Sequence, residues 1–319
     1  MTHTFKKPTR IAIVGSGFVG ATFAYSLLLS GLATEIVLID ANHAKAEGEA
    51  MDLNHAMPLG RPARIWAGSY EDCARAALTV VTAGSAQRPG ESRLDLLQRN
   101  TAIFHQIIPN IVKNNPNGIL LIATNPVDIL TYVALKISKF PPNHVIGSGT
   151  VLDTARFRYL LSQQFDVDPR SVHAFIVGEH GDSEVPVWSL ANIAGMNLAQ
   201  YYAVNGECCS QPVLDSIFEQ TRDAAYHIIE RKGATYYGIA SALMRICEAI
   251  LRDQGTVLSV SSLINDYYGI HDVCLSVPTV LGLDGVERII RLDLSTDEIE
   301  GLRKSADVLK TTIAQLDLG

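Results

Sequence analysis

Short apolar runs alternate with longer segments of helical periodicity through the first half of the chain. The apolar runs predict six strands, at residues 11–14, 35–39, 64–67, 78–82, 119–124 and 145–146. Helices fit between them, and the first, residues 19–30, is followed by Gly31, a residue suited to the left-handed conformation past a helix end. Fully apolar strands that alternate with helices are typical of a parallel sheet covered on both faces. We therefore expect a doubly wound α/β domain.

The pattern changes after about residue 147. A helical segment follows Thr150, and helical spacing returns over residues 212–252. The sequence Ser295-Thr296-Asp297-Glu298 is a capping box that predicts a last helix through about residue 316. Three further segments predict an antiparallel meander, at residues 256–264, 273–281 and 287–292. The prediction is two domains, residues 1–147 and residues 148–319, of which the second is α+β.

Composition narrows the classes of protein that this chain can belong to. Hydrophobic residues make up 47% and charged residues 18% of 319 residues, so a disordered chain is excluded. A formal net charge of -7 argues against a general nucleic-acid binder. No signal-peptide-like segment or membrane-length apolar run is recognised. Five cysteines without paired spacing suit reduced thiols, so we expect a cytoplasmic protein with neither a disulfide framework nor a metal site.

A glycine motif between the first strand and the first helix predicts a dinucleotide site. It reads Gly15-Ser16-Gly17-Phe18-Val19-Gly20, and Asp40 follows the second strand 20 residues later. Glycines allow the backbone to approach a pyrophosphate at the helix N-terminus, and a carboxylate at the second strand can accept hydrogen bonds from the ribose hydroxyls. Such a carboxylate repels a 2′-phosphate, which favours NAD over NADP. Thr82-Ala83-Gly84 ends a later strand, where a Rossmann-type sheet exposes its binding crevice.

Three residues of the second half suggest acid and base chemistry on a small acid. Asp153 and Arg156 lie at the start of a predicted helix, and His180 lies in Gly178-Glu179-His180-Gly181-Asp182. An imidazole can transfer a proton, a carboxylate can orient it, and a guanidinium can hold a substrate carboxylate bidentately. Taken alone, the Asp-x-x-Arg pair also suits an ion pair or a helix cap.

Longer motifs extend this set and carry a resemblance. They read GSAQRPGESRLDL at 84–96, TNPVD at 124–128, LDTAR at 152–156, GEHGD at 178–182 and KGATYYG at 232–238. From Gly15 to the last helix, the chain resembles the lactate and malate dehydrogenase superfamily, and most closely its bacterial L-lactate dehydrogenases. The resemblance implies a cytoplasmic, NAD-dependent enzyme of glycolysis and pyruvate fermentation.

The resemblance also implies a role for each residue. His180 exchanges a proton with the substrate oxygen while Asp153 fixes its tautomer. Arg156 holds the substrate carboxylate with help from Thr235. Arg93 polarises the substrate carbonyl from a mobile lid, although by position alone it also suits an exposed loop cation.

Two further residues bear on substrate choice. Asn125 is implied to bind substrate and cofactor, and it equally suits a turn before Pro126. Gln87 occupies the lid position where malate dehydrogenases carry an arginine for the second carboxylate of oxaloacetate, so a monocarboxylate is expected. Arg88 is adjacent, and a shift of one residue would favour a lactate-dehydrogenase-like malate dehydrogenase. A noncatalytic NAD-binding sensor or structural protein is an alternative of another class.

Arg158 and His173 match positions that bind fructose 1,6-bisphosphate across a subunit interface in allosteric bacterial lactate dehydrogenases. Arg156 and Arg158, two residues apart on a helix, point to nearly opposite sides. The resemblance thus implies an effector site and a homotetramer, while a surface arginine and a structural histidine explain the same residues.

Overall fold

The computed structural model describes residues 9–85, 93–205 and 210–316. Strands and helices alternate in the first half: β1 Arg10–Val14, α1 Phe18–Ser30, β2 Glu35–Ile39, α2 His43–Ala56, β3 Arg64–Ala67, β4 Leu78–Val81, α3 Arg93–Asn114, β5 Ile119–Ile122, α4 Val127–Ser138 and β6 Val145–Gly147. The second half contains α5 Val151–Phe165, β7 Val172–His173, β8 Ile176–Val177, β9 Val185–Pro186, β10 Asn192–Ile193, β11 Met196–Asn197, α6 Leu198–Asn205, α7 Gln211–Lys232, α8 Tyr237–Leu251, β12 Thr256–Tyr267, β13 Ile270–Gly282, β14 Gly285–Ile289 and α9 Thr296–Ile313.

The six strands of the first half form the predicted parallel sheet. Their order is β6-β5-β4-β1-β2-β3, and every neighbouring pair is parallel. Strand order reverses between β1 and β4, and ligands of doubly wound sheets bind at the carboxyl ends of the strands beside such a reversal. The predicted fold class is therefore confirmed, and the loops after β1 and β4 meet where the glycine motif and Thr82 lie.

The antiparallel meander continues this sheet. Strands β12, β13 and β14 pair antiparallel, and β12 pairs with β6 at Ser261 and Gly147. A Cβ atom on Gly147 would lie 2.9 Å from the Cβ atom of Ser261, so glycine permits this close approach. The second half thereby covers an edge strand whose backbone groups would otherwise be unpaired. One sheet of nine strands spans both halves.

Local signals predicted the ends of several elements. Gly31 follows α1 with φ 65°, and the capping box before α9 is formed in both directions between Ser295 and Glu298. The predicted segment 212–252 is two helices, because Gly233 ends α7 in the left-handed conformation with φ 85°. The two-residue strands β7 to β11 were not predicted, since two residues show no periodicity.

Alternation along the parallel strands divides the first-half core into two layers. Ala12 and Val14 of β1 belong to one apolar cluster, whereas Ile11 and Ile13 belong to the cluster on the other face. Side chains on a strand point alternately to its two faces, so helices cover both. Within the described ranges, none of the helices combines the length and apolarity that crossing a bilayer requires.

Candidate active site

The glycine motif forms a turn with no room for side chains at two positions. Gly15 has φ 108°, and a Cβ atom there would lie 2.5 Å from the backbone nitrogen of Ala83. A Cβ atom on Gly20 would overlap the carbonyl oxygen of Gly15. The hydroxyl of Thr82 donates to that same carbonyl at 2.7 Å. The loop is thus locked against the end of β4, with the N-terminus of α1 open to a ligand.

Asp40 connects this loop to the end of β2. Its carboxylate accepts hydrogen bonds from the backbone nitrogens of Ser16, at 2.6 Å, and Asn42, at 2.9 Å. The loop and Asp40 line one cavity of about 490 Å³. Other lining residues include Val14, Gly17, Tyr70, Thr82, Ala83, Gly84 and Ile107. A cradle of backbone beside a helix N-terminus, with a carboxylate at the next strand, fits a dinucleotide.

The loops after β4 and β5 are fastened together beside this cavity. The hydroxyl of Thr124 donates to the carbonyl of Ala83 at 2.8 Å, and Asn125 precedes Pro126 through a cis peptide bond. The buried side chain of Asn100 donates to the carbonyl of Asn125 at 3.0 Å and accepts from the backbone nitrogen of Ser85 at 2.8 Å. Asn100 was not identified from the sequence, because a single polar residue in an amphipathic helix forms no motif. It joins Ser85 to the loop after β5.

The predicted triad assembles where α5 begins. Nδ1 of His180 lies 2.5 Å from one carboxylate oxygen of Asp153, and a terminal nitrogen of Arg156 donates to the other oxygen at 2.9 Å. Asp153 is buried, with 2% of its surface exposed. Asp153 and Arg156 lie three residues apart on α5 and therefore share a helix face. The arrangement leaves Nε2 of His180 as the ring nitrogen available to a substrate.

The charges of the triad determine its protonation. Burial by itself would lower the pKa of His180, but the charge and hydrogen bond of Asp153 outweigh it and raise that pKa to about 9. Burial would raise the pKa of Asp153, but His180 and Arg156 hold it below its usual value. At neutral pH the pair is thus imidazolium and carboxylate, which is a state able to donate a proton.

Asp128 holds the main chain of the loop that carries His180. Its carboxylate accepts from the backbone nitrogen of His180 at 2.7 Å and from the hydroxyl of Ser276 at 3.4 Å. Burial raises the pKa of Asp128 to about 6, and the hydrogen bond from the backbone nitrogen of His180 opposes this rise. The sequence motif at 124–128 contains Asp128, but only its fold neighbours reveal this contact.

Of the predicted substrate residues Thr235, Arg93 and Gln87, only Thr235 has a side chain among the described residues. Thr235 is half-buried between α7 and α8, and the ring of the next residue, Tyr236, stacks on Phe18 of the glycine motif with ring centres 5.3 Å apart. Arg93 is the first residue of α3, and its side chain lies outside the described residues. Gln87 also lies outside them.

The two predicted effector residues lie on neighbouring segments. Nε of Arg158 donates to the carbonyl of Ala174 at 2.9 Å, and its guanidinium stands 5.3 Å from the ring centre of Phe175. His173, the residue before Ala174, is exposed in β7. Burial lowers the pKa of Arg158. Arg156 instead faces Asp153. Over the described ranges, no three side chains of the types that bind metals are grouped together.

Comparison with known proteins agrees with this geometry. Residues 9–147 match the lactate/malate dehydrogenase NAD binding domain, and residues 150–317 match the lactate/malate dehydrogenase alpha/beta C-terminal domain. L-lactate dehydrogenase from Acetivibrio thermocellus is 55% identical over 97% of this chain and 98% of its own length. The Priestia megaterium L-lactate dehydrogenase is 54% identical over 98% of both chains. The crystal structure of minor L-lactate dehydrogenase from Enterococcus mundtii superimposes with a TM-score of 0.95, at 42% identity over 98% of this chain and 100% of that one.

Proposed function

The chain belongs to the lactate/malate dehydrogenase family, and we propose that it catalyses the reversible, NAD-dependent interconversion of L-lactate and pyruvate. The observation that carries the proposal is the buried carboxylate of Asp153, which holds His180 on one oxygen and Arg156 on the other. An acid and a carboxylate-binding cation thereby occupy one site. Full-length similarity to L-lactate dehydrogenases supports the substrate.

In the direction of pyruvate reduction, His180 is the proton donor. The chemistry that bound NADH supplies is hydride transfer to C2 of the substrate. Nε2 of His180 delivers a proton to the carbonyl oxygen, because Nδ1 is engaged by Asp153. Asp153 keeps the ring in the productive tautomer and stabilises its charge. In lactate oxidation the neutral imidazole accepts the hydroxyl proton.

The remaining residues position the substrate. Arg156 binds the substrate carboxylate through its further N–H groups, and Thr235 assists from the segment before α8. Arg93 polarises the carbonyl from the segment that begins α3. Asn125, whose own carbonyl is held by Asn100, donates to the substrate oxygen and adjoins the cofactor.

The cofactor site is assigned to the first half, residues 1–147, which also contributes Gln87, Arg93 and Asn125 to the substrate site, while residues 148–319 supply Asp153, Arg156, His180 and Thr235. Gly15, Gly17, Phe18, Val19 and Gly20 present backbone to the pyrophosphate, and Asp40 faces the adenosine ribose. Thr82, Ala83, Gly84 and Asn125 line the crevice toward the nicotinamide. The tight turn at Gly15 and the carboxylate of Asp40 support this assignment.

Substrate choice follows from Gln87, and one variant tests both activity and specificity. The wild type is expected to consume NADH with pyruvate at a higher kcat/KM than with oxaloacetate. Gln87→Arg is expected to change the ratio of the two kcat/KM values by about a hundredfold toward oxaloacetate, since an unpaired charge in a closed site costs several kcal/mol. NADH absorbance with each oxo acid measures the ratio.

The outcomes of this assay separate the candidate functions. An oxaloacetate preference in the wild type would identify a lactate-dehydrogenase-like malate dehydrogenase. NADH binding without turnover of any 2-oxo acid would identify a noncatalytic sensor. Arg88→Gln is the matched control for the adjacent residue, and it should leave the preference for pyruvate in place.

We propose further that an effector regulates the activity of this protein. We place the protein in the cytoplasm, in glycolytic pyruvate fermentation, as a homotetramer that binds fructose 1,6-bisphosphate at Arg158 and His173. Arg158 contacts Ala174 and Phe175, the two residues that follow His173. This proximity supports one anion site that Arg158 and His173 share. An effector activates only if it binds one global state more tightly.

The bisphosphate is expected to lower the half-saturating pyruvate concentration about tenfold in the wild type. His173→Gln should abolish that shift and leave the curve without effector unchanged, because the exposed imidazole serves only the phosphate. Pyruvate saturation with and without bisphosphate measures the effect. An unchanged wild-type curve would mean that Arg158 and His173 are structural.

A further inference from the structure

Glu184 is a buried carboxyl group that neither the sequence motifs nor the proposed mechanism uses. Its backbone nitrogen donates to the carbonyl of Gly181 at 3.1 Å, which closes the turn that carries His180. Only 6% of the residue is exposed, and Oε1 has no hydrogen-bond partner among the described residues. An unpartnered oxygen of a buried acid is costly and calls for a physical reason.

The surroundings of Glu184 are the charged groups of the active site. Burial and, after it, the negative charge of Asp153 raise the pKa of Glu184 to about 9, although His180, Arg156 and Arg222 act to lower it. Arg222, on α7, is half-exposed and pairs with its neighbour Asp223 at 2.9 Å. Glu184 is therefore a neutral acid at physiological pH.

A neutral Glu184 sets the charge that a substrate meets. Asp153, Arg156 and protonated His180 together carry one net positive charge, which a monocarboxylate would neutralise on binding. An ionised Glu184 would cancel that charge before the substrate arrived. Because the positive charge of Arg156 acts to lower the pKa of Glu184, an ionised Glu184 would attract Arg156 and compete with the substrate carboxylate for its charge.

We propose that Glu184 is a positioning residue for the substrate: as a neutral acid it leaves the positive charge of Arg156 to the substrate carboxylate, and as a carboxylate it competes for that charge. This inference rests on the proposed function, and it adds a residue that couples pH to substrate affinity. Its signature is a change in KM for pyruvate with kcat largely retained.

The test compares wild type with Glu184→Gln, which keeps the size of the side chain and stays neutral. The ratio of wild-type KM to variant KM for pyruvate is expected to be near one at neutral pH. It should rise to about tenfold one pH unit above the titration of Glu184, because one unit changes the ionised-to-neutral ratio tenfold. Because the charge of an ionised Glu184 also raises the pKa of His180, the pH profile of kcat is recorded for both proteins, and only the change in KM is assigned to Glu184. Glu179→Gln, in the same loop, is the control and should follow the wild type.

Thermal unfolding gives a readout that needs no turnover. Because the folded-state pKa of Glu184 is raised from an ordinary 4.5 to about 9, its contribution to stability is complete below about 4.5 and is lost as pH rises toward 9. The Tm of Glu184→Gln minus that of wild type should therefore increase with pH across this range and become constant above it. Glu184→Met, also neutral, should behave alike and replaces the glutamine variant should that one fail to fold.

The outcomes are distinguishable. Normal wild-type turnover of pyruvate, with superimposable KM profiles for wild type and both neutral variants, would overturn this inference alone. A constant Tm difference across pH would overturn it as well, by showing that Glu184 is ionised throughout. Absence of pyruvate turnover in the wild type would overturn the proposed function, and the positioning role with it.

Discussion

Replacing His180 with glutamine is expected to lower kcat for pyruvate reduction by about 10³-fold, which is within the range that general acid catalysis contributes. Glutamine keeps a polar side chain in the space beside Asp153 but has no acidic proton to deliver to the forming alkoxide. Its amide can still donate a hydrogen bond, so binding of pyruvate should weaken less than turnover. Stopped-flow NADH absorbance measures the chemical step directly.

The control for this variant is cofactor binding. The glycine loop and Asp40 lie in the other half of the chain, so the affinity for NADH, followed by its fluorescence, should stay within about twofold of wild type. A loss of kcat smaller than about tenfold would contradict the role of His180 as the acid. An equal loss of NADH affinity would instead point to a disturbed fold.

Asp153→Asn is expected to lower kcat/KM by about 10²-fold or more at mildly alkaline pH. Burial opposes a charged His180, and the charge of Asp153 is the largest of the effects that raise its pKa to about 9. Without that charge the pKa should fall to the ordinary value of about 6.5 or below. Only the imidazolium can donate the proton, so a fall of two or more units in the pKa of His180 removes most of the active form at mildly alkaline pH. The tautomer of His180 is also no longer fixed.

The pH profile of pyruvate reduction gives the sign of this effect. In the wild type, kcat/KM should be level below about pH 9 and fall above it, as His180 loses its proton. In Asp153→Asn the fall should begin near pH 6.5. Asp128→Asn is the matched comparison: Asp128 accepts from the main chain of His180 and not from its ring, and its charge raises the pKa of His180 less than that of Asp153 does, so the fall should begin between those of wild type and Asp153→Asn. An unchanged profile in Asp153→Asn would show that other charges hold the proton on His180.

Periodicity and short motifs predicted most of the architecture. The parallel strands were recognised within one or two residues, because a strand buried on both faces must be apolar along its length. Gly31 and the capping box before α9 follow local backbone chemistry that the sequence states directly. Pairing of β12 with β6 could not be read in this way, because it joins Ser261 to a glycine far away in the chain.

The residues of the candidate site also fall into those that the sequence identified and those that only the structure revealed. The motifs identified Asp153, Arg156 and His180, and their resemblance to known enzymes supplied roles. Asn100, Asp128 and Glu184 were missed, since each acts through a contact made only on folding: Asn100 with Ser85 and Asn125, Asp128 with the main chain of His180, and Glu184 with the charges of the triad. A single polar residue inside an apolar segment gives no pattern to recognise.

The sequence by itself determined which chemical groups this protein has and in which elements they lie: a glycine turn before a helix, a carboxylate after the next strand, and an acid, a base and a guanidinium on two later segments. These depend on interactions within a few residues. The tertiary structure alone decided the protonation of those groups. Asp153 and His180 are 27 residues apart, and a pKa is set by burial and by the charges that packing brings within a few ångströms.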